Sequence, residues 1–451
     1  MKRIGGAYYW NLIKKLLILA PAILLLSCIQ DNDYPGQRQN QEKEDSTFTY
    51  QIAGQETGCC INDIQSELSY YLESIIGMDI PAVLNLCDTL GFDGISEISQ
   101  VLCDTTTYYC TVLNYKSKVH DKELLLSGKI LYKKTADGKI ETPDHILLYN
   151  RHTHASESLL DGVGLEYLFA RYGELVIVPD MIGHGTTANL TEPFCIPSLT
   201  SSSVLDMYRA AMDFLSDQNI ENVKDIPLYI IGYSQGGMSA LSEMRALQES
   251  YKGLVNKFSG YLGGGPYSMK AMLDNYVETD ICGYPISFPL IIAAFKYSFP
   301  EIMTGEYKDY FTPEFIRSGI LEKIRSKKYN NWQLCREMTN LMPYKTGGPV
   351  IVSQILKKDC LTPGNIRYEE LFKCAELCEM TTGWKPENHI HFMHCENDAF
   401  VPYFNFEMAQ SGIGNENCVF ESLGDYGLGY RNHDFGGIMY YIRIICGKYL
   451  E

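Results

Sequence analysis

No internal repeat runs through this chain of 451 residues, and no long low-complexity stretch interrupts it. Repeat architectures are therefore excluded, blade-built propellers among them. Basic charge is also short. The formal net charge is −17, and residues 1–27 hold four basic side chains (Lys2, Arg3, Lys14, Lys15) with no acidic one. Setting those four aside leaves −21 on the rest, a surface that phosphate backbones would be repelled by, so nucleic acid is not an expected partner. No apolar run is long enough for a mature membrane span: Leu16–Leu26 is too short and is broken by Pro21. Cys374 and Cys378 lie four apart on a predicted helix without further ligands nearby, so no metal is expected, and no cofactor is implied.

What the N-terminus does carry is a targeting pattern, with basic residues leading into the apolar run. That run ends in Leu25-Leu26-Ser27-Cys28, which resembles the lipobox of bacterial lipoproteins. The resemblance implies cleavage before Cys28 and lipid modification of its thiol, with more than one acyl chain, enough for stable anchoring. Asp31 and Asp33 resemble the acidic tracts that send some lipoproteins of Bacteroidota to the cell surface. The expected location is thus an outer membrane or cell surface, with the membrane as partner through the anchor. Residues 1–27 read as signal peptide and 28–57 as a polar tether. Fourteen cysteines remain besides Cys28; in an exported chain some could pair as disulfides, though connectivity is not readable from sequence.

The rest is organised around Ile226-Pro-Leu-Tyr-Ile-Ile-Gly-Tyr-Ser-Gln-Gly-Gly-Met238. Ile226–Ile231 predicts a buried strand, and helix-forming residues resume after Gly237. Gly232-Tyr233-Ser234-Gln235-Gly236 between them fits the G-x-S-x-G elbow, a sharp turn that lifts the serine hydroxyl above a sheet. Side chains at either glycine would collide with backbone in so tight a turn.

Around that turn, apolar strands alternate with amphipathic helices. Thr105–Val119 and Glu123–Lys133 predict antiparallel edge strands. His145–Asn150 and Glu174–Asp180 read as buried strands, and Val204, Leu205, Tyr208, Ala211, Met212 and Leu215 form a helical stripe. Phe258–Gly265, His389–Cys395 and Asn417–Leu423 complete the strand set, with a helix over Phe435–Tyr449. This order predicts an α/β fold with a mostly parallel central sheet flanked by helices. Ligands in such sheets sit at the carboxyl ends of the strands. The segment 58–265 reads as an N-terminal extension plus the first part of the core, 266–386 as a large helical cap inserted after the sixth core strand, and 387–451 as the second part of the core. Apolar cap residues such as Phe288, Phe295, Phe311 and Trp332 are expected partly to pack on the core and partly to form an apolar wall over Ser234.

A serine nucleophile needs a base, and the base needs an orienting carboxylate. After the strand ending at Cys395 comes Glu396-Asn397-Asp398-Ala399-Phe400-Val401-Pro402, which places Asp398 as the acid. After the last strand a glycine-rich loop carries Arg431-Asn432-His433-Asp434, which places His433 as the base. His389, His391 and His394 read as sheet or packing residues. The backbone N–H of Gln235 is one expected oxyanion donor. The other should come from the loop after the third strand, with Thr153 and His154 as candidates.

Taken together, Gly-Tyr-Ser-Gln-Gly-Gly, Pro179-Asp-Met-Ile-Gly-His-Gly185, Asn397-Asp398-x-x-Val401-Pro402 and the late His433 resemble an α/β-hydrolase. Within that superfamily the pattern is similar to the secretory lipase-like group, over about Thr105 to Glu451. One position departs: the usual His-Gly after the third strand reads His152-Thr153 here. The resemblance implies a serine hydrolase that cleaves a small-molecule carboxylic ester through an acyl-enzyme. The alternatives are a serine peptidase of the prolyl-oligopeptidase type, for which no propeller exists, a carboxypeptidase-like or acyltransferase role, and a catalytically silent surface-binding lipoprotein.

Overall fold

A computed structural model describes residues 49–76, 78–89, 95–156, 164–170, 174–342 and 348–446. The leader, Cys28 and most of the expected tether lie outside these residues. The main sheet has nine strands: β1 Tyr50–Cys59, β2 Tyr108–Val119, β3 Lys122–Tyr132, β4 His145–Asn150, β5 Glu174–Pro179, β6 Leu228–Tyr233, β7 Phe258–Gly263, then β10 Ile390–Cys395 and β11 Cys418–Gly424. A two-stranded ribbon, β8 Ile281–Cys282 and β9 Val350–Ile351, lies between β7 and β10 in sequence. The spatial order is β1-β2-β3-β5-β4-β6-β7-β10-β11. The first pairings, β1 to β2, β2 to β3 and β3 to β5, are antiparallel. All later pairings in that sheet are parallel.

The strand at the edge is a correction to the reading of 28–57 as tether. Tyr50–Cys59 pairs with β2 from Tyr50↔Tyr115 to Cys59↔Tyr108, with a register shift between Ala53 and Thr57. Most of its side chains are exposed, so no alternation of apolar residues marks it. Its backbone is held by β2, and Tyr50 also donates a 2.6 Å hydrogen bond to Asp217. β2 and β3 are consequently interior strands, not edges. Three helices follow β1, over Gln65–Ile76, Ile80–Thr89 and Ile95–Leu102. Their apolar faces bury Leu68, Val83, Cys87, Ile98 and Val101 on one side of the sheet, with the C-terminal helix Asn432–Ile445.

Central strands β4 and β6 are buried on both faces, as parallel strands covered by helices must be. Long helices Pro197–Asp217 and Gln235–Glu249 cover the other face with Val204, Tyr208, Ala211, Leu241 and Met244. Between β7 and β10 the chain forms a helical insertion, including Met269–Thr279, Ser287–Ser298, Asn331–Asn340 and Ile366–Leu377. Counting β1, it follows the seventh strand of the sheet. Phe288, Phe295, Phe311 and Phe315 are buried in the insertion's own cluster, which also takes in Ala155 and Met238 of the core. Trp332 is exposed. Most of the aromatic content of this segment therefore builds its core. The fourteen cysteines from Cys59 to Cys446 are all free thiols, and no helix among the described residues is long and apolar enough to cross a membrane.

Candidate active site

Ser234 sits where β6 ends and the helix Gln235–Glu249 begins, with φ 60° and ψ −124°. That left-handed φ is strained for a serine. The turn is held open by its glycines. A Cβ on Gly232 would stand 2.2 Å from the Gly236 carbonyl oxygen, and one on Gly236 would stand 2.3 Å from that of Asn150. The Ser234 N–H donates 2.9 Å to the Gly263 carbonyl of the neighbouring strand, and the Ser234 carbonyl accepts from Gly237 N–H at 2.9 Å. The side chain is thereby presented at the carboxyl edge of the sheet.

Two later loops bring their side chains to the same point. Asp398 follows β10, and His433 lies in the first turn of Asn432–Ile445 after β11. His433 Nε2 is 2.9 Å from Ser234 Oγ. His433 Nδ1 is 2.6 Å from Asp398 Oδ2. Asp398 Oδ1 accepts from the N–H groups of Phe400 and Val401, both at 2.9 Å. Burial works to raise the Asp398 carboxyl, but the His433 charge and the hydrogen bonds from His394 and His433 hold it far below the usual carboxylate range. Burial works to lower the His433 imidazole, and the Asp398 charge and hydrogen bond outweigh it, so its pKa is raised. The Asp434 carboxyl is pushed up to about 6 by burial, against the charges of His433 and Arg431. The Tyr233 hydroxyl donates 2.8 Å to the His433 carbonyl, which ties the elbow strand to the helix that carries His433.

The loop after β4 runs along the elbow. Gln235 is the first residue of its helix, so its N–H is one of the donors that no preceding turn can satisfy. Thr153 is buried, and its carbonyl accepts 2.6 Å from Asn331 Nδ2, while Asn331 Oδ1 accepts 2.7 Å from Ala155 N–H. The rings of His152 and His154 lie 4.5 Å apart. Burial, with the Arg151 and His433 charges, pushes His152 down to about 4. Burial and the His152 charge push His154 well below its ordinary value. Both are neutral at pH 7. The His154 Nε2 atom is buried without a hydrogen-bond partner among the described residues.

Several residues at this edge have no local sequence signal. Glu192 accepts 2.6 Å from the side-chain amide of Gln235 and lies 3.1 Å from His184 Nε2. Lys327, buried at the end of a helix in the insertion, places its ammonium 3.9 Å from the same carboxylate. His184 stands in the Gly183-His184-Gly185 turn of a noted motif, but its partner lies eight residues on in a loop. His394, expected to be a packing residue, is fully buried with Nε2 2.8 Å from the Val401 carbonyl and 3.4 Å from Asp398 Oδ2. It touches Asp398 as well as packing in the sheet. No group of His, Cys, Asp and Glu suited to a metal ion occurs among the described residues.

Residues 165–319 match the model of a family described as secretory lipase. Among solved structures, a ligand-bound form of the rice cell wall degrading esterase LipA from Xanthomonas oryzae superposes with a TM-score of 0.63 at 15% identity. That match covers 89% of this chain and 96% of the esterase. Candida antarctica lipase A in its closed state superposes with a TM-score of 0.54 at 16% identity, covering 75% of this chain and 78% of the lipase. Identities this low speak to the fold, which is that of the α/β-hydrolases. No curated protein matches the chain in sequence.

Proposed function

We propose that this carboxylic ester hydrolase of the α/β-hydrolase fold works as a serine hydrolase through Ser234, His433 and Asp398. The observation that carries the reading is the single imidazole of His433 bridging Ser234 Oγ at 2.9 Å and Asp398 Oδ2 at 2.6 Å. With Nδ1–H held by the carboxylate, Nε2 of neutral His433 is the lone pair facing the hydroxyl. It takes the Ser234 proton as Oγ bonds to the ester carbonyl carbon. The carbonyl oxygen becomes an oxyanion, and the Gln235 N–H stabilises it at the helix N-terminus. Collapse of the tetrahedral species breaks the bond to the alcohol oxygen, which leaves with the proton from His433. The acyl group stays on Ser234. A water molecule, deprotonated by His433, attacks the acyl carbon, and the carboxylic acid departs with Oγ reprotonated. The second oxyanion donor belongs to the loop of Thr153 and His154, which Asn331 braces.

The family match points to an exported protein. The lipobox-like Leu25-Leu26-Ser27-Cys28 supports a form tethered by lipid on Cys28 to a bacterial outer membrane, with a small-molecule ester as substrate. A fluorophosphonate tests the chemistry. It should label the wild-type protein at Ser234 alone, and hydrolysis of p-nitrophenyl acetate should stop with it. Labelling that persists undiminished in Ser234→Ala would remove the reading.

A further inference from the structure

Two tyrosines join the strand that leads into Ser234 to the helix whose first turn carries His433. Tyr233 ends β6 just before the nucleophile, and its hydroxyl donates 2.8 Å to the backbone carbonyl of His433. Tyr440 stands about two turns after His433 on Asn432–Ile445. Its hydroxyl accepts 2.9 Å from Gly232 N–H of the elbow and donates 2.5 Å to the Tyr261 carbonyl of β7. Each element therefore sends a phenol to the backbone of the other. The two rings pack 5.5 Å apart, and the Tyr233 ring lies 5.1 Å from the imidazole of His433. Both side chains are buried, and the backbone closes tightly around them. A Cβ on Gly263 would stand 2.5 Å from the Tyr233 ring and 2.6 Å from that of Tyr440, and one on Gly436 would stand 2.7 Å from the Tyr233 hydroxyl oxygen.

We propose that Tyr233 and Tyr440 are positioning residues, a reciprocal clamp that sets the reach of His433 Nε2 to Ser234 Oγ independently of Asp398. The inference rests on the serine-hydrolase reading above and adds two residues to that same site. A base needs two things fixed, the place of its backbone and the rotation of its ring. Asp398 fixes the ring through Nδ1. Asn432 Nδ2 donates 3.0 Å to the Glu396 carbonyl, which holds the start of the helix to the loop of the acid. Those contacts join base to acid. The two tyrosine hydroxyls join base to nucleophile, because one holds the backbone of His433 from the elbow and the other holds the backbone of the elbow from the helix. A misplacement of about 1 Å can cost about 100-fold in rate, so a hydroxyl that places the base acts on kcat without touching substrate.

The test removes one oxygen at a time from the full chain. In Tyr233→Phe and in Tyr440→Phe, kcat on p-nitrophenyl acetate should fall about tenfold with KM unchanged. Each rate is taken per site labelled by a fluorophosphonate at completion, so molecules without a competent site do not count. Because the Asp398–His433 pair is left intact, the acid limb of the kcat/KM profile should stay at its wild-type pH, and the low-field proton signal of His433 Nδ1–H should persist. Tyr208→Phe makes the same change at a buried hydroxyl with no hydrogen-bond partner among the described residues, and it should keep the wild-type kcat and KM. Phe retains the ring and its packing, thermal melts place each assay below the transition of its variant, and either clamp variant alone decides the question. An unchanged kcat per labelled site in either one would overturn the clamp and leave that hydroxyl a role in stability alone. A raised KM with kcat intact, or an acid limb moved to lower pH with the low-field signal lost, would overturn it too, since the tyrosines would then act on substrate or through Asp398. So would an equal loss in Tyr208→Phe. If wild type is labelled at Ser234 and hydrolyses ester while the clamp variants match it, only the clamp fails. If wild type is neither labelled nor active, the serine-hydrolase reading fails and the clamp falls with it.

Discussion

The buried carboxylate of Glu192 holds the side chain of Gln235 at 2.6 Å, and Gln235 carries the backbone N–H next to Ser234. Glu192 also meets His184 of the core and Lys327 of the insertion. One group therefore links the first turn of the elbow helix to the loop after β5 and to the helical insertion.

Glu192→Ala leaves Gln235, His184 and Lys327 without their shared partner. Loss of one member of a buried charged cluster costs about 3 kcal/mol or more, so the melting temperature should fall by several degrees. The distinctive effect is on catalysis. Because the oxyanion exists only in the transition state, kcat should fall about tenfold or more while KM changes little. Glu192→Gln should recover most of kcat, since an amide oxygen can still accept from Gln235. A variant with KM raised and kcat intact would assign Glu192 to substrate binding instead.

Asp398→Asn keeps the shape of the acid but not its charge, and His433 loses the partner that fixes its tautomer. The kcat on a simple ester should drop on the order of 10³- to 10⁴-fold, near the effect expected of a triad acid elsewhere. Asp425→Asn should be far milder. Asp425 accepts from Asn397 and Asn432 and braces the loop without touching the imidazole. Comparable losses in both variants would show that loop geometry, and not the Asp398 charge, governs activity.

In the proposed mechanism the acid limb of the kcat/KM profile follows His433, which must be neutral to take the Ser234 proton. Its pKa is raised by Asp398, so activity should fall as the pH drops through a value above the ordinary imidazole figure of about 6.5. Removing the charge in Asp398→Asn should move that limb to lower pH. Stability follows the same signs. The raised imidazole contributes stability below the unfolded value of about 6.5, lost as pH rises through the folded one. The depressed Asp398 carboxyl contributes above about 3.9, lost as pH falls toward its folded value. A limb that stays put in Asp398→Asn would contradict the pairing.

Asn331 braces the loop of Thr153 and Ala155 with hydrogen bonds of 2.6 and 2.7 Å. Asn331→Ala should loosen the loop proposed to carry the second oxyanion donor and lower kcat about tenfold, with the melting temperature reduced only slightly because the residue is partly exposed. Full activity in this variant would mean that the loop holds its shape without the insertion.

Cys28→Ser should abolish partitioning into membranes and lipid labelling, with esterase activity per molecule close to wild type. Unchanged partitioning would point to another anchor.

Much of the site is legible in the chain because its parts are local. Gly232, Ser234 and Gly236 act within one turn, so their spacing alone states the backbone geometry that the nucleophile needs. Asp398 and His433 follow from loops placed after strands in a fixed order. β4, β5, β6 and β7 announce themselves through continuous apolar runs, because strands buried on both faces admit few polar side chains. What the chain order could not express is contact at long range. β1 is polar and exposed along most of its length, and becomes a strand because β2 offers it a free edge. The grip of Glu192 on Gln235 and of Asn331 on Thr153 and Ala155 joins residues far apart in sequence. A hydrogen bond leaves a mark in sequence only when its two ends share a turn or a helix face; these ends meet because the sheet and the helical insertion bring them together.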